Sequence, residues 1–428
     1  MRRILGLLWV ASVVGCGSSS GGGDGGPCRN LGCFQVACPG GGTTAVSGTV
    51  YAPNGTLPLY NATVYVPNGQ VGPLPEGVIC DRCGAPLSGD PLVQTTTDTA
   101  GRFTLTNMPA TQNVPLVVQI GKWRRQVTLP DVPACADTAL DAQAARLPRN
   151  RSEGDIPRIA LSTGSADALE CLVRKLGLDD AEIGTQGAAE RIHLYAGEGG
   201  TDRFQGGGAF ADAQQLWAAA SSLSPYDVVI LSCEGGQNEQ TKPPAAVQAL
   251  HDYTGVGGRV FASHWHNVWL ENGPPPVPQT VTLDFLSDLN DIQADIDLDF
   301  PKGMALAEWL LNVGGSTVLG LIDIVDAQHT VTGVDPTLAR RWIHKDVTAN
   351  GQPSVQYLSF TTPLTAPEDQ RCGRFVFSDI HVSSASGDSS SPSDPFPSGC
   401  TNVPLSPQEK VLAFMFFDIA ACVGPGIP

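Results

Sequence analysis

Positive charge is scarce in this chain. Its 428 residues hold 25 Lys and Arg against 42 Asp and Glu, a net charge of −17, which excludes nucleic-acid binding through bulk charge. Charge of either sign is thin, 16% of residues, where about 25% is usual. No apolar run is long enough for a permanent transmembrane helix. Residues 4–14 fall short, and the best later stretch, residues 411–423, is 13 residues long and contains Asp418. Nucleotide signatures are missing too: the glycines at 197–200 and 206–208 follow a strand pattern without GxGxxG spacing, and no Walker lysine is present. What is plentiful is turn-forming sequence, 49 Gly and 34 Pro, well above the roughly 12% these two normally sum to. With 42% hydrophobic residues, the chain can bury cores in two or three domains.

Residues 1–15 read as an export signal, a charged start followed by a short apolar run. The run ends in Val13-Val14-Gly15-Cys16, which resembles the lipobox of bacterial lipoproteins. That resemblance implies cleavage before Cys16, lipidation of its thiol, and anchoring in a membrane. Gly17 stands where an inner-membrane retention signal would place Asp, so the outer membrane is the expected destination, on its periplasmic or cell-surface face. Residues 16–44 form a Gly/Ser/Cys-rich tether, flexible at residues 17–26.

Lipidation of Cys16 leaves 11 Cys, an odd number, in a compartment that favours disulfides. Cys28, Cys33 and Cys38 are expected in a small cross-linked collar. Cys80-Asp-Arg-Cys83 lacks a second CxxC at zinc-ribbon distance and reads as a loop staple. Cys171, Cys233, Cys400 and Cys422 complete the structural disulfide candidates.

Between residues 45 and 130, short β-branched runs alternate with period two and are punctuated by Asn-Gly and Asp-x-x-Gly turns, which predicts an antiparallel β-sandwich. Val46-x-Gly48-x-Val50, Asn61-Ala62-x-Val64 and Thr97-Asp98-x-x-Gly101-x-Phe103-x-Leu105 resemble the carboxypeptidase regulatory-like domains, small transthyretin-like sandwiches. The resemblance implies a spacer or a carbohydrate- or protein-contacting module and carries no catalytic residues. Lys122-Trp123-Arg124-Arg125, with Arg146, Arg149, Arg151 and Arg158 soon after, suits either an anion-docking patch or, preferred, a solvated strand face with linker charges over residues 131–157.

From residue 158 to 424, strands alternate with helices, which predicts an α/β domain with a parallel, flavodoxin-like sheet. Helices are expected over 165–178, 210–223 and 245–253. A last helix opens on Ser406-Pro-Gln-Glu409, a capping box. Ser162-Thr-Gly-Ser165 fits an anion cradle or a helix cap equally well. Ligands in such sheets bind at the carboxyl ends of the strands. Two segments lie there: Ser232-Cys233-Glu234-Gly235-Gly236 and Ser263-His264-Trp265-His266. Together they resemble the class I glutamine amidotransferase-like architecture, and more closely its trehalose-utilisation branch. The resemblance implies a nucleophile at the second elbow, where this chain carries Ser263-His264. The family's late His-Pro-Glu is replaced by Asp379-Ile-His381.

Catalytic candidates are therefore Cys233, Ser263, His264 and His381. Cys233 suits a nucleophile or, preferred in an oxidising compartment, a disulfide with Cys171. His264 and His266, on one side of an extended segment, suit a divalent metal, with His381, Asp379 or Glu234 completing the set. Glu234, Trp265, Trp269 and Asp379 are the candidates for ligand contact. Asp295, Asp297 and Asp299 read as the polar face of a strand in preference to a calcium site. The expected function is a glycan- or envelope-ligand-binding lipoprotein on a catalytically degenerate scaffold, with no cofactor required. The alternative is a hydrolase using Cys233 or a His264/His266 metal, and a third reading is an adhesive module centred on the sandwich.

Overall fold

The computed structural model describes residues 28–382 and 390–424. Residues 1–15, expected from the sequence to be an export signal, Cys16 and residues 17–26 of the expected tether lie outside them, and no helix among the described residues is long and apolar enough to cross a membrane.

Alternation of buried and exposed side chains sets the first unit. In β4 (Arg102–Thr106), Phe103 and Leu105 point inward between exposed neighbours. β4 runs antiparallel to β1 (Ala45–Thr49). The turn feeding β4 is held by Asp98, whose Oδ1 accepts the backbone N–H groups of Ala100 and Arg102, with Gly101 at φ 73°. A second sheet has the order β3 (Pro91–Thr96), β2 (Thr63–Pro67), β5 (Gln112–Ile120), β6 (Trp123–Asp131), all antiparallel. β7 (Asp137–Ala139) joins β1 in parallel, so the two sheets have three and four strands.

The basic spot turns out to be an internal junction. Trp123 is fully buried against Phe416 and Phe417. Lys122 pairs with Asp227 at 2.5 Å, Arg124 with Asp155 at 2.8 Å, and Arg146 holds Glu153 through both guanidinium nitrogens at 2.6 Å. Lys122, Arg124 and Arg146 are therefore taken up by partners within the chain and do not form an anion dock, while Arg149 and Arg151 of the linker stay about half exposed, at 47% and 46%.

The second unit is one mixed sheet. Its strands are β8 (Ile159–Ser162), β9 (Ile183–Thr185), β10 (Ile192–Ala196), β11 (Ala211–Asp212), β12 (Val228–Leu231), β13 (Arg259–Ser263), β15 (Ile292–Ile296), β16 (Leu321–Ile324), β18 (Arg340–Lys345), β19 (Ser354–Thr362) and β20 (Gly373–Ser378). The order is β11-β10-β8-β12-β13-β20-β19-β18-β15-β16, with β9 on β10. Pairing is parallel from β11 to β20 and antiparallel beyond. β14 (Val281–Leu283) and β17 (Val331–Val334) form a separate ribbon. β8, β12 and β13 are buried along their whole length, as strands covered on both faces must be.

Helices depart from the sequence pattern in two places. The first, α1 (Leu169–Lys175), starts four residues after Ser165 because Asp167 turns inward instead of entering the helix. Residues 210–223 split into α2 (Ala213–Leu216) and α3 (Ala220–Leu223) around Trp217, whose indole N–H donates to the Thr241 carbonyl at 2.9 Å. α4 (Pro244–Gly255), the short α5 (Val268–Glu271) and α6 (Pro301–Asn312) follow. α7 (Pro407–Ala420) carries the expected capping box between Ser406 and Glu409. Asp295 faces Lys345 at 3.9 Å and Asp297 faces Arg341 at 3.4 Å, between the buried Ala294 and Ile296. Asp295 thus lies on β15 and Asp297 one residue beyond it, and neither belongs to a metal-ligand grouping among the described residues.

Five disulfides brace the molecule: Cys28–Cys33, Cys38–Cys135, Cys80–Cys372, Cys83–Cys422 and Cys171–Cys400. The CxxC is thus no loop staple. Each of its cysteines reaches from the sandwich's β2–β3 insertion to the α/β unit. Cys171 takes Cys400 in place of Cys233, which is the free and buried thiol. One apolar core runs from Val46 and Leu116 in the sandwich through Trp123 into α7 and Ile230 of the sheet.

Candidate functional site

Parallel register brings four strand ends to one edge. Leu231 of β12 is level with Ser162 of β8 and Ala262 of β13, and Ser263 is level with Ser378 of β20. The segments leaving those strands carry Thr163-Gly164, Ser232-Cys233-Glu234, His264 and Asp379-Ile380-His381. They pack closely: a Cβ on Gly164 would lie 2.2 Å from the Cys233 carbonyl oxygen, so only glycine fits there.

After β13 the chain turns sharply. His264 sits at φ +39°, in the left-handed region that costs a non-glycine residue backbone energy. This elbow aims its ring at the loop after β20, where His264 Nδ1 lies 3.0 Å from His381 Nε2, and at Cys233, whose Sγ is 3.7 Å from the same nitrogen. All three are buried, their ligand atoms lie within 4.8 Å of one another, and the group is one that could hold a metal ion. Burial drives His264 down to about 2, with His381 adding to the effect. Burial and then the Asp167 carboxylate push the Cys233 thiol up, against the pull of backbone groups of Trp265 and Gly235. At neutral pH the pair is a thiol beside a neutral imidazole, and not the thiolate and imidazolium of a cysteine nucleophile.

His266 does not join. Residues 264–267 form a 3-10 turn instead of an extended segment, so the two rings part. His266 Nε2 lies 2.9 Å from the Ser232 carbonyl and Nδ1 accepts the Trp269 indole N–H at 2.9 Å, which uses both ring nitrogens and leaves neither lone pair for a metal. The His264/His266 metal pair is therefore corrected. Burial lowers His266 to about 4, and it serves as a neutral packing group.

Three other candidates have partners within the chain. Trp269 is fully buried, edge-on to Trp217 at 5.5 Å. Asp379 is fully buried and accepts from Thr330 Oγ1 at 2.6 Å and Thr330 N at 2.9 Å, tying β20 to β17. Glu234 pairs with Lys242 at 2.6 Å and Asn238 at 3.2 Å, and it also lines the cleft beside this edge. Ser263 donates to Asp167 at 2.6 Å, and Asp167 also accepts the Val382 N–H at 2.8 Å. Only Trp265 reaches the surface, half-buried, its ring 4.8 Å from that of His264 and stacked on Phe285 at 6.2 Å and 10°. Phe285 is 42% exposed. Beside this edge lies an open cleft of about 300 Å³ walled by Glu198, Asp202, Asp212, Gln214, Trp217 and Glu234.

The sequence pattern passed over Asp167 and Glu170, which fell inside an expected helix, and over Phe285. The one signal was two carboxylates, two and five residues after Ser165, in a stretch whose other face is apolar. Glu170 is 2% exposed and its Oε2 has no partner among the described residues. Burial raises its carboxyl to about 8, and Asp167 adds to this. The folded protein therefore holds a proton there that the unfolded chain releases above about 4.5, so this group erodes stability as pH rises from about 4.5 through about 8. Glu170→Gln should gain about 3 kcal/mol at pH 7 and nothing near pH 4. Denaturant midpoints at the two pH values check this, and equal gains at both would refute it.

No family model matches the chain, and no curated protein shows significant similarity. Solved structures that align weakly include two mutant type II cohesin–X-dockerin complexes from Acetivibrio cellulolyticus. The N-terminal interface mutant is 16% identical over 32% of this chain and 85% of that chain, with a TM-score of 0.18. The C-terminal interface mutant is 15% identical over 29% and 78%, with a TM-score of 0.17. Likeness at that level says nothing of this chain's fold or activity.

Proposed function

We propose that this is a non-catalytic, lipid-anchored envelope protein that binds a glycan at the exposed end of its parallel strands. The observation that carries the reading is the stacked Trp265–Phe285 pair, placed on the rim of an elbow that holds no activated nucleophile. Stacked, partly exposed aromatic faces suit the apolar faces of sugar rings, and the neighbouring cleft with Glu198, Asp202 and Asp212 offers acceptors for hydroxyl groups. In chain order the five central parallel strands run 2-1-3-4-5, the order of doubly wound, flavodoxin-like sheets, whose ligands sit outside the carboxyl ends. An amidotransferase-like ancestry fits that order, with His264 standing at the elbow. The lipobox-like Val13-Val14-Gly15-Cys16 supports a tether to the outer membrane through Cys16. A hydrolase on Cys233 has the buried, protonated thiol against it.

Titration of envelope polysaccharide fragments into the purified chain tests the reading. Trp265→Ala and Phe285→Ala should each weaken binding about tenfold without lowering the unfolding midpoint. Unchanged affinity in both variants, or turnover of an amide, ester or glycoside that His264→Ala abolishes, would overturn it.

A further inference from the structure

We infer that Cys233, His264 and His381 are the ligands of a thiophilic first-row divalent cation, zinc in the first place. The inference does not depend on glycan binding. Three parallel strands, β12, β13 and β20, each deliver one donor to the same point at their carboxyl ends, and all three side chains are buried. With zinc–sulfur and zinc–nitrogen bonds of about 2.3 and 2.0 Å, tetrahedral ligation separates sulfur from nitrogen by about 3.5 Å and nitrogen from nitrogen by about 3.3 Å. The distances found are 3.7 Å from Cys233 Sγ to His264 Nδ1 and 3.0 Å from His264 Nδ1 to His381 Nε2. The third edge stays within 4.8 Å, so closing the triangle needs only small ring movements.

Two buried imidazoles facing each other share a single hydrogen, and His264 holds a left-handed backbone to reach that contact. A metal bond would repay both. The surroundings favour a cation as well. Asp167 is fully buried and bonded only to Ser263 Oγ and the Val382 N–H, with no cationic partner among the described residues, and Glu170 lies near it. Lys242, the buried cation closest in sequence to Cys233, is taken up by Glu234. Backbone groups of Trp265 and Gly235 face the sulfur, where they would support a metal-bound thiolate. A set of one sulfur and two nitrogens, without carboxylate or carbonyl ligands, selects zinc-like cations over magnesium or calcium.

The bond balance is simple. Forming the metal–sulfur bond releases the Cys233 thiol proton to solvent. Whichever ring carries the shared hydrogen moves it to its outer nitrogen, so that His264 binds through Nδ1 and His381 through Nε2 as neutral imidazoles. No oxidant or reductant is needed.

The test uses the chain with Cys16→Ser, in which Cys233 is the one thiol outside the five disulfides. The chain is stripped with chelator without reductant and titrated with cobalt(II), then zinc(II). One cobalt per chain should bind with a thiolate-to-metal charge-transfer band, and one zinc should displace it. Cys233→Ser should remove the band, and His381→Ala should weaken zinc binding at least about a hundredfold. If either variant fails to fold, the parent's own spectrum decides, because no other thiol is present to give the band. Absence of stoichiometric binding, or binding without the charge-transfer band, would overturn the inference.

Discussion

Replacing Cys80, Cys83, Cys372 and Cys422 together by alanine should leave no folded protein, whereas removing either disulfide alone should leave a folded but weakened one. The separations along the chain, 292 for Cys80–Cys372 and 339 for Cys83–Cys422, overstate what each bond does by itself. With Cys80–Cys372 in place, Cys83–Cys422 closes a ring of only about 50 residues, and its removal costs about 4 kcal/mol of unfolded-state entropy. Once it is gone, Cys80–Cys372 closes a ring of about 120 residues through Cys171–Cys400, which adds about 5 kcal/mol. The total of about 9 kcal/mol falls within the whole stability of a typical domain, roughly 5–15 kcal/mol. The two bonds are backed by local contacts at the same junction: Arg82 donates to the Arg371 and Glu368 carbonyls, and Cys83 N donates to the Val423 carbonyl at 3.0 Å. Urea unfolding of the two paired variants and the fourfold variant checks this. A fourfold variant that unfolds cooperatively within about 2 kcal/mol of the parent would refute it.

Periodicity made the sandwich strands and the parallel strands legible because their signals are local. Phe103 and Leu105 alternate with exposed residues along β4, and β8, β12 and β13 carry the short apolar runs Ile159-Ala-Leu161, Val228-Val-Ile-Leu231 and Val260-Phe-Ala262. Capping of α7 was legible for the same reason, since Ser406 and Glu409 satisfy each other within one turn. Disulfide partners were not legible, because pairing depends on how two units face each other. Cys83 meets Cys422 only because α7 returns against the sandwich, with Phe414 stacked on Tyr60 at 5.9 Å. The site was half legible. His264, Cys233 and His381 could be placed at strand ends from sequence, but their mutual approach depends on an elbow backbone that an extended reading of Ser263 to His266 cannot anticipate. That same extended reading paired His264 with His266. The 3-10 turn turns His266 back toward Ser232 and Trp269 instead.

Asp418→Asn should cost about 4 kcal/mol at neutral pH, because it strands buried cations at the end of α7. Asp418 accepts Lys302 Nζ at 2.5 Å and Arg374 Nη1 at 2.7 Å. The Arg374 side chain is 1% exposed. Arg374 also donates to the Asp418 carbonyl at 2.8 Å, and Arg259 donates to the Ile419 carbonyl at 2.8 Å and to the Ala421 carbonyl. Two guanidinium groups therefore satisfy carbonyls that the last turn of α7 leaves open, where the helix dipole is negative. Asparagine keeps the shape and removes the charge that makes this cluster of cations tolerable. Burial pushes the Asp418 carboxyl up, but the charges of Lys302 and Arg374 outweigh it and hold the carboxyl below its ordinary value of 3.8. A depressed folded value means that the stabilisation is fully present above about pH 4 and is lost as pH falls through the lower folded value. The gap between parent and variant should accordingly be flat from neutral pH to about 5 and narrow in stronger acid. Denaturant midpoints for both proteins across that range read it directly. A gap below about 1 kcal/mol at neutral pH, or one that widens on acidification, would show that Lys302 and Arg374 are compensated elsewhere and that α7 is held by its apolar face alone.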